Sequence, residues 1–300
     1  MLHDRANAYS LGMVRIWVFS LAALSRVLTP VWEVCMLPNY QANGVMRLLG
    51  AYYWAPLITP QIAYGIQAFT IGLLIAAAAG IRPYRILAPL ACLTLIISEG
   101  LIRGSEVMSH ANIILILCTC ALACFPAADA LTLFPITRQP TRPLAQYRAA
   151  LFTLSMVFCV TYLFAGARRL STSGIEIYFD DSILRATALR DAELGPAGGL
   201  GIWACESVFV GWALRIGFPI VTLLEFLAPL CIFSARFRWL WIAVLFPFHI
   251  GIGLLMGIWF PYNLALIPVL IAGFDPFRRL TDRIDAAKPD DGEPELVTLN

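Results

Sequence analysis

Apolar residues along this chain come in long unbroken runs, not in the spaced positions of a water-facing amphipathic helix. Eight runs approach membrane-crossing length, since a helix needs roughly 17–25 residues to span the hydrocarbon core. They are Leu11–Leu28, Gln61–Gly80, Ile86–Leu101, Ala111–Ala127, Ala149–Ala167, Phe218–Phe233, Trp239–Phe260 and Pro261–Phe274. The third and the last are short for a span, and Pro247 and Pro261 predict kinks in the seventh and eighth. The stretch from Trp32 to Pro60 is too polar to cross. It carries Tyr52, Tyr53 and Trp54, aromatic side chains expected at headgroup level. The expected fold is an all-α integral membrane protein of about eight transmembrane helices, with non-cytoplasmic loops capping the bundle. One membrane domain reaches to residue 280, and residues 281–300 form a charged, proline-containing tail expected to be disordered.

Composition agrees with the pattern. Hydrophobic residues make up 60% of the 300 positions and charged residues 13%, with a mean hydropathy of +0.77. A soluble domain carries roughly 25% charged residues, so this chain lacks the polar surface that water demands. The net charge is only +2, with no basic stripe, which excludes a nucleic-acid partner. Twenty of the 21 basic residues are arginines, and Lys288 is the single lysine.

Arginine also sets the expected orientation. Arg5, the Arg82–Arg85 turn, the Arg138/Arg142/Arg148 loop, the Arg236–Arg238 turn and the Arg278/Arg279/Arg283 tail occur at every second loop. The positive-inside rule makes those loops and both termini cytoplasmic, in a multi-pass protein of the cell membrane. The polar start, Met1 to Ser10, leads into a run holding Arg15 and Arg26, which fits a retained span better than a cleaved signal. Two long segments, Thr29–Pro60 and Arg168–Gly217, fall on the opposite side. The Gly195–Gly201 stretch in the second matches no phosphate loop and reads as a turn. Of eight cysteines, Cys92, Cys118, Cys120, Cys124, Cys159 and Cys231 read as apolar thiols inside spans. Cys35 and Cys205, in the loops, leave one bridge open.

Ionisable groups inside spans cost about 2.5–3.5 kcal/mol each on insertion scales and therefore need a reason. Glu99, His110, Arg169, Asp180 and Asp181 are the candidate catalytic groups, and Arg103, Arg168, Glu225 and His249 the candidate substrate-binding groups. Most lie towards the non-cytoplasmic end, so one expectation is a common cavity. The competing expectation is a set of structural ion pairs, such as Glu99 with Arg103, or Arg15 with a carboxylate; for His249 it is a hydrogen-bonded structural histidine. The three histidines, His3, His110 and His249, share no ligand spacing for zinc. Asp180-Asp181 is a weak candidate for magnesium and a diphosphate.

Three stretches in order resemble the vitamin K-dependent gamma-carboxylases and their bacterial relatives with a horizontally transferred transmembrane domain. They are Leu11-Gly-Met-Val-Arg15-Ile, Tyr162-Leu-Phe-Ala-Gly-Ala-Arg-Arg-Leu170, and Phe248-His249 followed by Gly257-Ile-Trp-Phe260. Met108-Ser-His110-Ala-Asn resembles the family's histidine-bearing start of a span. The resemblance covers residues 11 to 280. It implies a lipid-accessible cavity for an isoprenoid or quinone-like molecule, and a base that deprotonates reduced vitamin K at the position of Arg169, where the family carries lysine. Arginine leaves less than roughly one molecule in 10⁵ neutral at pH 7, a barrier of about 7 kcal/mol or more for a general base. Lys288 lies in the expected tail and cannot substitute, and the large lumenal domain that grips protein substrates is missing. Gamma-carboxylation is therefore not expected.

Fixed arginines suit an anion or a developing oxyanion. The leading expectation is an enzyme acting on a lipophilic, isoprenoid-derived small molecule, by proton-initiated cyclisation or by oxidation and epoxidation. The alternative is a non-catalytic accessory protein for maturation or export of a small peptide. Transport ranks third, because the two halves show no internal repeat.

Overall fold

A computed structural model describes residues 7–29, 31, 44–49, 51–105, 112–134, 142–174, 178, 180–194 and 198–273. Among the described residues there are helices and turns and no strand. In chain order the helices are α1 (Ala8–Leu28), α2 (Gly44–Leu48), α3 (Ala51–Trp54), α4 (Pro60–Ala78), α5 (Tyr84–Ser105), α6 (Ile113–Ala123) and α7 (Leu144–Ser173). Then come α8 (Ser182–Leu194), α9 (Leu200–Glu206), α10 (Val208–Phe226), α11 (Leu230–Phe233), α12 (Ala235–Met256) and α13 (Pro261–Leu266), which continues as a π-helical turn over Ile267–Ile271. Six of them, α1, α4, α5, α7, α10 and α12, are long and apolar enough to cross a membrane. These are the helices of a multi-pass membrane protein.

Two of the eight expected spans are short. Helix α6 has 11 residues, about 16 Å at 1.5 Å per residue, roughly half of a hydrocarbon core. The last run breaks after Leu266 into the π turn that contains Pro268. There Trp17 Nε1 donates to the Ala265 carbonyl (2.8 Å) and the Ser155 hydroxyl to the Leu270 carbonyl (2.7 Å), so side chains take up backbone acceptors of this irregular segment. The third and fifth spans are longer than expected, at 22 and 30 residues. The sixth is displaced: Ser207 caps α10 ten residues before the expected start, and α11 forms the end of the run. The expected outer loop 168–217 is thus largely helical, holding α8, α9 and the first half of α10. Pro247 lies within a continuous α12. Pro261 instead opens α13 at the position where a missing N–H costs nothing, after Gly257 ends α12 at φ 67°. Cys35 and the tail 281–300 lie outside the described residues.

Local chemistry fixes the helix starts. The Asn7 side chain accepts from the backbone N–H of Tyr9 and Ser10, Thr59 caps α4 ahead of Pro60, and Ser234 caps α12. One main apolar core runs through α1, α4 to α7 and α10 to α13.

Arg15 ties one end of the bundle together. Its guanidinium is fully buried and has no carboxylate partner among the described residues. Nε donates to Ala78 O (3.1 Å), Nη1 to Ala127 O (2.7 Å) and Ala130 O (3.1 Å), and Nη2 to Leu131 O (2.5 Å). These carbonyls lie at and beyond the C-terminal ends of α4 and α6, where the helix dipole is negative. The expected pairing of Arg15 with a carboxylate is corrected accordingly. Gly80, at φ 67°, passes so close that a Cβ there would stand 2.8 Å from the Arg15 guanidinium.

At the opposite end of α1, the Gln67 amide donates to the Arg26 carbonyl and its oxygen accepts from Val31 N (2.6 Å). A side chain of α4 thereby satisfies the exit of α1.

Candidate functional site

The candidate residues form two buried clusters and one exposed pair. In the first cluster, Glu99 near the end of α5 accepts from Arg26 Nη2 (2.6 Å) and Arg103 Nε (2.9 Å). The Asn112 amide, just before α6, donates to both carboxylate oxygens (3.2 and 3.4 Å). The expected Glu99–Arg103 pair is present, and Arg26 is a second partner that residue spacing alone could not assign. His110 and Glu106 lie outside the described residues.

The second cluster is built by α7, α10 and α12. Tyr162, Gly166 and Arg169 share one face of α7, four and seven residues apart; Phe218, Thr222 and Glu225 repeat that spacing on α10. Gly166 lets the two helices approach, since a Cβ there would stand 3.0 Å from Phe226 N and 3.1 Å from Thr222 O. This brings Arg169 Nη1 to 2.9 Å from Glu225 Oε2 and 2.9 Å from Thr222 Oγ1, with Nη2 3.4 Å from Glu225 Oε1. The guanidinium also lies over the Phe218 ring, 5.2 Å from its centroid. Nη1 is aligned with Thr222, so the buried Glu225 Oε2 has a charge partner but no aligned donor.

His249 stands beside this pair. Its Nδ1 lies 2.7 Å from the Leu245 carbonyl, and its Nε2 lies 3.2 Å from the Tyr162 hydroxyl. A carbonyl only accepts, so the hydrogen is assigned to Nδ1. In the neutral ring Nε2 is then the acceptor and Tyr162 donates to it. Tyr162 is 3% exposed and also stacks edge-on against Trp241 (centroids 5.1 Å). Asn263 of α13 is buried, and its Oδ1 is without a hydrogen-bond partner. His249 is thus a hydrogen-bonded buried histidine, as the structural expectation had it.

An apolar cavity of about 150 Å³ lies alongside, between α8, α10 and α12. Ile183, Leu214, Phe218, Phe248, Ile252 and Leu255 contribute to its lining. Phe218 carries Arg169 on its ring, and Phe248 adjoins His249 with centroids 5.6 Å apart, so these two rings stand between the cavity and the polar cluster.

The remaining candidates lie elsewhere. Arg168 is exposed, off the α7 face that carries Tyr162, Gly166 and Arg169. Asp180 and Asp181 are exposed and diverge: Asp180 accepts from the Ser182 hydroxyl (2.6 Å) and pairs loosely with Arg185 (3.6 Å), while Asp181 pairs with Arg215 (2.7 Å). The Ser182 hydroxyl and backbone N–H hold the Asp180 carboxyl below the usual carboxylate range. Among the described residues Glu99, Arg169, Asp180 and Asp181 are each held by separate partners. Among the described residues no three His, Cys, Asp or Glu side chains gather as a metal site. Cys205 is a free thiol donating to the Leu184 carbonyl (3.2 Å), and partial burial raises its pKa.

Thr222, Asn112, Gln67 and Arg26 went unassigned in the sequence because each gains its role from a distant segment. Tyr162 and Arg169 carried a signal in their seven-residue spacing. No family model, curated protein or solved structure matches the chain.

Proposed function

We propose that this protein is an integral membrane enzyme of the gamma-carboxylase-like kind that performs proton-transfer chemistry on a lipophilic, isoprenoid-derived molecule. The observation that carries the reading is the Tyr162–His249 couple set against the Arg169–Glu225 pair beside an apolar cavity. His249 Nε2 is the resting proton acceptor and the Tyr162 hydroxyl the group that gives or regains a proton. Arg169 is permanently charged and holds an anionic group or a developing oxyanion. A cavity of about 150 Å³ is of the size that takes a benzene-like group, which suits one isoprene unit or one ring of the substrate. The reaction these residues can run alone is redox-neutral, proton-initiated cyclisation; oxidation or epoxidation would need dioxygen as an added co-substrate and oxidant, and a quinone suits the same cavity.

The test is to give purified protein in lipid nanodiscs a prenyl diphosphate and the prenyl alcohol of the same chain length. Product formation and deuterium uptake from heavy water are then read by mass spectrometry. Arg169→Gln should lose turnover of the diphosphate and keep any turnover of the alcohol. Tyr162→Phe should lose both. Absence of any conversion or exchange by the native protein would sink the enzyme reading. The accessory-protein reading draws support from the fact that Arg169 is already neutralised by Glu225, as a structural pair would be.

We further infer eight crossings of the cell membrane with both termini cytoplasmic. The arginine alternation supports this. Cysteines placed at Asp181 and Arg142 in a cysteine-free background provide the check. The first should react with an impermeant thiol reagent in intact cells, and reaction at the second would reverse the orientation.

A further inference from the structure

The cluster around Glu99 differs from the Arg169–Glu225 pair in its charge count and from the Arg15 cage in its hydrogen bonding. Among the described residues Arg26 and Arg103 share a single carboxylate, so one positive charge is left over there. Arg26 is wholly buried and Glu99 is 4% exposed, so water cannot screen that charge as it would at a surface. Three polar atoms of the same four side chains are buried without a hydrogen-bond partner: Arg26 Nη1, Arg103 Nη2 and Asn112 Oδ1. Two are donors on separate guanidiniums and the third is an acceptor. Arg15 shows the contrast, since each of its three nitrogens reaches a carbonyl.

We propose that Arg26, Arg103, Glu99 and Asn112 form an anion site that takes one singly charged phosphate group bearing or adjoining a hydroxyl. Such a group supplies the missing negative charge and accepts from both guanidiniums, whose planar forks match phosphate oxygens. Its hydroxyl donates to Asn112 Oδ1. Chloride and carboxylate answer only part of this pattern, because neither carries a donor. Arg103, with 19% of its side chain exposed, is the approach to the site. A lipid headgroup such as phosphatidylglycerol and free inorganic phosphate share this chemistry. Glu99 accepts from both arginines and offsets one of their two charges. The site is independent of the Arg169 cluster.

The experiment uses the full chain in detergent. Native mass spectrometry and thermal unfolding are followed while phosphatidylglycerol, phosphatidylcholine or inorganic phosphate is added. One phosphatidylglycerol per chain should be retained in preference to phosphatidylcholine, with a rise in unfolding temperature. If inorganic phosphate gives the same rise and displaces the lipid, the free ion is the ligand. Arg103→Gln, which leaves a neutral Arg26–Glu99 pair, should weaken binding about tenfold or more. Glu99→Gln, which adds a positive charge, should bind at least as tightly, and Arg103→Lys should hold the affinity within a few-fold. Arg169→Gln should leave binding unchanged even where it abolishes turnover, which separates this site from the proposed enzymatic one. Native protein that binds neither probe overturns the proposal, as does Arg103→Gln protein that binds like the native chain.

Discussion

Arg15 and Arg169 are both arginines inside a helical bundle, and they are held in opposite ways. Arg15 is wholly buried and spends its donors on four main-chain carbonyls from two other segments. Nothing in that cage can change its protonation or leave, so the cation works as a bolt between helix ends. Arg169 is 27% exposed and is held by side chains alone: a carboxylate, a hydroxyl and an aromatic face. Side chains can reorient and Glu225 can exchange partners, so a second anion can compete for this guanidinium. Burial of a charge among apolar helices therefore does not by itself mark a site. The identity of its acceptors does.

Removal of Arg15 should have the largest effect on stability. Arg15→Gln leaves four carbonyls short of their donors and should cost about 3–5 kcal/mol, the range for breaking a buried charged network. Arg15→Lys should cost nearly as much, because one compact ammonium cannot reproduce a planar fork reaching several segments. Unfolding in mixed micelles reads the loss, and native-like stability of either variant would show that the cage is incidental.

At Arg169 the expected stability effect is smaller and reversible by a second change. Arg169→Met strands a buried Glu225 and should destabilise by about 1–3 kcal/mol. Adding Glu225→Leu should recover most of that, because replacing both members of a buried pair by apolar groups is often neutral. Turnover should be lost in the single and the double variant alike. A double variant that stays as unstable as the single one would place Arg169 in the same class as Arg15.

Tyr162→Phe sharpens the second half of the contrast. It deletes one neutral hydrogen bond to His249 and should cost about 1 kcal/mol of stability. If proton transfer passes through the couple, the rate should fall by about 10²–10⁴ while substrate affinity changes little. A rate that follows only the stability loss would leave Tyr162 a packing residue against Trp241.

How much of this was legible in the sequence follows from where each signal resides. Length and apolarity of a run are local, so α1, α4, α5, α7 and α12 were readable. Helix α10 began earlier than expected, because the cap at Ser207 competes with a polar composition that reads as loop. The shortness of α6 and the π turn after Leu266 depend on tertiary partners such as Trp17 and Ser155, which apolar count does not encode. Of the site, Arg169, Glu225, His249, Glu99 and Arg103 stood out because the bilayer makes charge improbable. Their division into two clusters did not, because it is set by which helices touch. Asp180 and Asp181 drew attention as a pair, yet Arg185 and Arg215 draw them apart.

The smallest expected effect lies at that exposed pair. Asp181 bonds Arg215 in a site more than half open to solvent on the carboxylate side, where water and ions screen the attraction. Exposed ion pairs contribute about 0–1 kcal/mol, so Asp181→Asn should shift stability by no more than that, and raised salt should erase the difference. The same substitution should leave turnover and the binding of phosphate probes unchanged, since Arg215 pairs with Asp181 and lies over Trp212. A large loss of turnover in Asp181→Asn would bring the acidic pair back into the site. Arg169 would then have to serve a substrate that reaches from the Phe218 ring to the start of α8.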